Sequence, residues 1–367
     1  MNRSSGILLP VSALPGPCGI GDLGTDARDF IDFLASAGQR YWQILPLNPP
    51  DGAHSPYLSA STFAGSTDLL SPEPFLARGA LTADEVRAVD WGEDPMRVDY
   101  DRVHAGRAAL WDAAFARERD TAASALRAAL TAEPWLRDYC LYMAVKEEQG
   151  GAPWYAWPQS LRDRDAAALA EALERLDDRV LLHAYLQTEF TRQWDAVRAY
   201  AHAHGVRIIG DLPMYVAPDS ADVWAQPGQF CLDPDGQPST AAGVPPDYFS
   251  ADGQLWGNPL YDWDAMRADG FRWWKERIRG ADADYAMRCL GVYDVARLPE
   301  ALLRAGMGSR AELFIAQMQD VLGLGAESRM NTPGTAAGNW VWRLLPGQTD
   351  AQTAARLLAR TQAACRI

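Results

Sequence analysis

The chain has 367 residues, 48% of them hydrophobic, and a formal charge of −14. That length can bury a large core and hold one barrel of ordinary size plus a modest insertion, while the negative charge argues against nucleic acid or an anionic membrane as a partner. Five scattered cysteines, with no C-x-x-C pair and no neighbouring histidine cluster, argue against a zinc site and a disulfide framework.

The N-terminus has too short an apolar run for a signal peptide, and nothing later reaches the ~18 apolar residues of a membrane span, so the expected location is cytoplasmic. Ile7-Leu8-Leu9-Pro10-Val11 reads as a first strand, and residues 15–24 as the Pro-Gly-rich loop beyond it. Thr25 is placed to cap the next helix, whose Phe30, Ile31, Phe33 and Leu34 keep helical spacing until Gly38 ends it. Residues 41–47 are then a second buried strand, completing a βαβ unit. Residues 49–65 form the loop that follows and contain Ser55-Pro56-Tyr57; on composition alone Tyr57 reads as a turn tyrosine packed on its own loop, and His54 as a surface residue.

From about residue 72 to residue 203 the chain is Ala-, Leu- and Arg-rich with helical periodicity and few strand signals, which predicts a helical insertion. Residues 150–158 stand out, because their aromatics sit among Gly and Pro. Val206-Arg207-Ile208-Ile209 reads as a strand buried on both faces, with Asp211 at its carboxyl end, where functional loops of parallel α/β folds gather. The next forty or so residues are rich in Gly, Pro, Asp and aromatics, too long for a simple connection, and predict a ligand-covering lid over about 212–261. Aromatic faces mixed with amides and carboxylates there suit carbohydrate, whose C–H faces stack and whose hydroxyls need fixed polar partners. Beyond it, residues 263–279 read as one helix with Met266, Phe271, Trp274 and Ile278 on roughly one face.

The wording of residues 206–261 resembles the 4-α-glucanotransferases (amylomaltases, disproportionating enzymes), a retaining family built on a (β/α)8 barrel. Gly19-Ile20-Gly21-Asp22-Leu23-Gly24, Tyr41-Trp42-Gln43-Ile44-Leu45-Pro46-Leu47, Ser55-Pro56-Tyr57, Pro153-Trp154-Tyr155-Ala156-Trp157-Pro158 and Arg329-Met330-Asn331-Thr332-Pro333-Gly334 carry the same resemblance in the family's order. It implies an α/β, TIM (β/α)8-barrel-derived fold, here an incomplete barrel, divided as residues 1–71 (barrel, N-terminal part), 72–203 (helical insertion subdomain) and 204–367 (barrel, C-terminal part with the lid). It also implies α-1,4-glucans and maltooligosaccharides as ligands, no cofactor and no metal. The residues it places on the substrate are Ser55, Tyr57, Asp211, Asp247, Tyr248, Phe249, Gln254, Trp256, Asn258 and Asn331.

The resemblance breaks after Arg272-Trp273-Trp274. The family's strand ending in Arg-Ile-Asp, with the nucleophile, its Glu-Asp-Leu-Gly strand, with the acid/base, and its Thr-His-Asp-Asn strand, with the transition-state Asp, have no counterpart. Residues 316–325 look like the family's last strand, with Asp320 in a structural role, and the simplest description is an internal deletion near Gly280. In an alternative setting Arg297 matches the nucleophile motif's Arg and Pro299 takes the nucleophile's place. Three readings follow: a family member that has lost transfer, a non-catalytic glucan-binding protein or decaying gene product, and an active enzyme with a rebuilt carboxylate pair, within one chain or between two. Missing strands would also leave open sheet edges, inviting self-association.

Overall fold

The computed structural model describes residues 3–50, 52, 54–246, 251–279, 307, 311–332, 335 and 338–366. Its centre is a parallel sheet of β1 (Ser4–Leu8), β2 (Tyr41–Gln43), β3 (Arg207–Ile209) and β6 (Leu313–Gln317), in the order β3-β2-β1-β6. Gly6 sits where a side chain would not fit: a Cβ there would lie 2.4 Å from the Tyr41 carbonyl oxygen on β2. The sheet does not close into a barrel among the described residues. The four strands, expected near Ile7, Tyr41, Val206 and Met318, are all present, but with shifted bounds. The last one is the clearest correction: residues 313–317 are strand, and Met318–Leu322 is a short helix holding Asp320, half-buried, whose carboxyl burial raises.

The first crossover helix, α1 (Thr25–Ser36), buries Phe30, Ile31, Phe33 and Leu34 as its spacing predicts, and Gly38 follows in the left-handed region at φ 70°. Thr25 is its first residue rather than its cap; Gly24 holds the cap position, and the Thr25 N–H is met by Glu73 Oε1 at 3.2 Å. Phe30 meets the edge of Trp42, with ring centroids 5.2 Å apart, and the Trp42 indole donates to the Leu9 carbonyl at 2.8 Å. This is the core under the sheet.

Between β2 and β3 the described elements are all helical. The long ones are α2 (Tyr100–Ala132), α3 (Pro134–Glu148) and α4 (Asp177–Ala203), packed on one another. Asp99 caps α2 by accepting from the Arg102 N–H, and Pro134 starts α3, where its missing N–H costs nothing. The three helices are cross-linked by charge. Glu147 on α3 accepts from Arg179 (2.7 Å) and pairs with His183 (2.9 Å), both on α4, and Arg179 also reaches Asp112 on α2 (2.7 Å). Burial works to raise the Glu147 carboxyl, but the hydrogen bonds from His183 and Arg179 outweigh it and hold it down at about 2.

A carboxyl depressed on folding contributes stability that is complete above its ordinary value near 4.5 and is lost as the pH falls toward 2. The helical packing is therefore expected to weaken over that window. Thermal midpoints by circular dichroism, taken along a pH series, check it; a Glu147→Gln variant should be less stable at neutral pH and flatter over the same acid range, and an unchanged slope would remove Glu147 from the account.

The tryptophans of residues 150–158 face inward. Trp154 and Trp157 are buried, the Trp154 indole donates to the Pro218 carbonyl at 2.8 Å, and Trp157 meets Trp224 edge-on at 5.5 Å. The segment thus pins the helical region to the chain that leaves β3. After β3 comes α5 (Ala221–Ala225), and Asp222 on it accepts from both the N–H (2.8 Å) and hydroxyl (2.7 Å) of Thr62 in the loop after β2. The expected lid is more regular than its composition suggests, since β4 (Ala241–Val244) and β5 (Gln254–Pro259) form an antiparallel hairpin.

The single helix expected over 263–279 is two, Trp263–Ala268 and Arg272–Arg279, broken where Gly270 and Phe271 both take positive φ. Of its expected apolar face, Met266 is buried, Trp274 is half-buried and Phe271 is exposed, while Trp273, not expected on that face, is buried. The strand reading of residues 206–209 also changes: Val206 is buried, but Ile208 and Ile209 are only half-covered, because β3 is an edge of the described sheet.

Candidate functional site

Because the four strands are parallel, the loops that follow them gather at one end of the sheet. Asp211, two residues past β3, accepts a 2.6 Å hydrogen bond from the hydroxyl of Tyr57, which belongs to the loop after β2. Tyr57 is 37% exposed; what burial it has, and then the Asp211 carboxylate beside it, push its hydroxyl pKa up. Its N–H donates to the Ser55 hydroxyl at 3.3 Å, and its ring meets Trp340 edge-on at 5.8 Å. Trp340 comes from the loop after β6, the loop that carries the exposed Asn331. Three loops thus meet around one tyrosine, and the reading of Tyr57 as packed only on its own loop is corrected.

The hairpin adds a fourth piece. Trp256, 43% exposed, lies beside Tyr215 with centroids 6.2 Å apart, and its indole donates to Gln254 Oε1 at 3.1 Å. Tyr215 stands four residues beyond Asp211, which ties the hairpin to the same end of the sheet. Leu255 at the turn side is 79% exposed. Asn258 is different from the other candidates: it is 3% exposed, and its amide donates to the Val216 carbonyl at 2.7 Å. It holds the hairpin to the chain after β3. Asp247, Tyr248 and Phe249 lie outside the described residues.

A cleft of about 500 Å³ opens between the loops after β1, β2 and β6. Pro10, Leu47, His54, Tyr100, Met330 and Trp340 are among its walls. His54, expected on the surface, lies flat on the Tyr100 ring at 4.3 Å, in the left-handed region at φ 59°. Trp340 is also left-handed, at φ 64°, and its carbonyl accepts from the Tyr100 hydroxyl at 2.8 Å. A left-handed backbone at two side-chain-bearing residues marks imposed geometry. His54, Tyr100, Tyr215 and Trp340 were not among the sequence candidates. Trp340 had a usable signal, an aromatic in the Gly338-Asn339-Trp340 run shortly after Arg329-Met330-Asn331.

Among the described wall residues of this cleft, Asp68 is the carboxylate, and it faces His104 Nδ1 at 3.4 Å. A wider cleft of about 1640 Å³ lies between the loop after β2 and the helices; its Lys146, Arg179 and His104 are paired with Asp219, Glu147 and Asp68. No group of three or more His, Cys, Asp or Glu suited to a metal ion, and no helix long and apolar enough to cross a membrane, occurs among the described residues.

This arrangement can be set beside known proteins. The 4-alpha-glucanotransferase family model matches residues 9–289 and 283–349. The chain belongs to the 4-alpha-glucanotransferase family. It is similar to the 4-alpha-glucanotransferase of Thermus thermophilus, at 35% identity over 100% of this chain and 99% of that protein. The enzyme of the same name from Synechocystis sp. is 46% identical over 76% of this chain, a match that spans 56% of that relative's length. Among solved structures, the amylomaltase from Streptococcus agalactiae in complex with acarbose superposes with a TM-score of 0.92 at 28% identity, covering 99% of both chains. The fold is therefore derived from a TIM barrel, with the barrel left open between β3 and β6 among the described residues.

Proposed function

We propose that this 4-alpha-glucanotransferase family member binds α-1,4-glucans across the carboxyl ends of its strands and has lost the transfer reaction. The observation that carries the binding half is the junction of Tyr57, Asp211 and Trp340, from three loops, with the exposed Trp256 on a hairpin that Tyr215 ties to the same end of the sheet. Aromatic faces offer stacking surfaces for sugar C–H groups, and the Tyr57–Asp211 pair and Asn331 offer hydroxyl partners. Ser55, Gln254, Asp247, Tyr248 and Phe249 complete the substrate side of this reading, and Asn258 supports it from beneath. Residues 72–203 serve as an inserted helical subdomain and 212–261 as the lid.

The loss of transfer rests on the sequence. Retaining transfer needs two carboxyl groups about 5–5.5 Å apart across the bond, a nucleophile and an acid/base. Neither motif that would supply them, nor the transition-state Asp motif, is present. An internal deletion near Gly280 accounts for all three at once. In its support, the match to the Thermus thermophilus relative runs over 501 aligned positions against 367 residues, leaving 134 without a counterpart in this chain. A cytoplasmic location accords with cysteines that follow no disulfide pattern.

The binding half is tested by titrating maltooligosaccharides against intrinsic tryptophan fluorescence or by calorimetry. Trp256→Ala should weaken binding by ~1–3 kcal/mol, the scale of an aromatic stacking contact with its burial. Unchanged affinity would take Trp256 out of the site; absence of any binding by the wild-type chain would sink the proposal.

A further inference from the structure

The two outer strands of the parallel sheet have apolar residues that are only half-covered: Ile208 and Ile209 on β3, and Leu313, Phe314 and Ile315 on β6. Parallel strands are normally buried on both faces, inside a sheet with neighbours on both sides. The hydrogen bonding is as open as the packing. The Arg207 N–H donates to the Arg40 carbonyl and the Ile209 carbonyl accepts from the Ile44 N–H, so residues 207 and 209 spend their backbone groups on β2. In a parallel ladder the residue between them points the other way, and the N–H and C=O of Ile208 face outward. On β6 the Glu312 carbonyl accepts from the Ser4 N–H, and the pairing of Ser4 with Leu313 continues to Leu8 with Gln317. Alternation then turns the backbone groups of Leu313, Ile315 and Gln317 outward. Among the described residues no strand pairs with either outer edge.

We infer that a second copy of this chain covers both edges, through a two-fold axis running along the strands. Such an axis keeps every strand parallel and lays β3 of each copy against β6 of the other. It therefore makes two equivalent seams and eight strands, the number at which a parallel sheet of this family closes. An arrangement of β3 on β3 would leave both β6 edges open. The chemistry of the edges also suits the pairing, with β-branched Ile208 and Ile209 on one side of each seam and Leu313, Phe314 and Ile315 on the other. Both copies then present their Tyr57–Asp211 junctions at the same mouth, so each groove gains a wall from its partner. The inference rests on the sheet alone and stands whether or not glucan binds.

The test is light scattering behind size-exclusion chromatography on the full chain, with hydrogen exchange as a second reading. The expected result is a particle at twice the 40.3 kDa of one chain, with the Ile208 and Ile315 amides protected. Ile208→Pro and Ile315→Pro each remove one outward N–H while leaving the inner ladder intact, a place where an edge strand tolerates proline. Each should shift the particle to a monomer whose helical circular dichroism matches the parent. Should a proline variant misfold, the exchange of the two amides in the unmodified chain decides. A monomeric parent with rapidly exchanging Ile208 and Ile315 amides overturns the inference, and so does a dimer that survives both substitutions.

Discussion

Incubated with maltotriose, the purified protein is expected to release no glucose and to build no longer oligomers above background. The attacking carboxylate and the proton donor of a retaining site act as a unit, and loss of one such group elsewhere costs several powers of ten in rate. On the function proposed above, both motifs are missing, with the transition-state Asp motif. Asp211 and Asp68 do not replace them: Asp211 is engaged by the Tyr57 hydroxyl, and Asp68 faces His104. A carboxylate from solution would lack the near-attack geometry that supplies much of the acceleration. Chromatography of the reaction beside the Thermus thermophilus relative checks this. Turnover close to that of the relative would overturn it and point to a carboxylate pair assembled in the groove, between copies if the dimer forms.

Replacing Arg107 by alanine is expected to cost ~3–5 kcal/mol, the scale for removing one member of a buried ion pair. Arg107 is 0% exposed. Its guanidinium donates to the Leu70 carbonyl and to Asp22 Oδ2 at 3.3 Å, and it lies over the rings of Trp91 and Trp111 at 5.7 and 5.8 Å. Burial already raises the Asp22 carboxyl, opposed first by Arg107 and then by the Gly24 N–H. Without Arg107 a buried carboxylate loses its counter-charge and the Leu70 carbonyl its donor. Denaturant or thermal unfolding measures the loss, and adding Asp22→Asn should restore part of it. A cost below ~1 kcal/mol would show that water enters and solvates Asp22.

Most of the strand positions and the first helix could be read from residues, because local periodicity carries them: Phe30, Ile31, Phe33 and Leu34 are buried as spaced. The errors fall where tertiary context decides. Residues 316–325 look like the family's last strand, yet the ladder with β1 ends at Gln317 and the chain turns helical at once. Gly270 and the strained Phe271 break a helix whose periodicity ran through them. At the site, motif wording pointed to Tyr57 and Asp211, but their mutual hydrogen bond joins residues 154 positions apart, which no local pattern encodes. His54 and Tyr100 were missed for the same reason, since their stacking depends on how the helical region folds back.

The pairing of β1 with β6 has a consequence for how the chain folds. Ser4 lies beside Leu313, and the Arg366 guanidinium reaches back to the Ser4 carbonyl at 2.8 Å. Strand β1 thus waits for chain made about 300 residues later before its second neighbour arrives. β1 and β2 can join early, and β3 after the helices between them are made, but one side of β1 stays open through most of synthesis. Contacts of such long sequence separation close slowly, since the loop entropy is lost before the contact is gained. That partly paired state leaves one edge of β1 open to aggregation during synthesis, and expression at lower temperature or with chaperones is expected to raise the soluble yield.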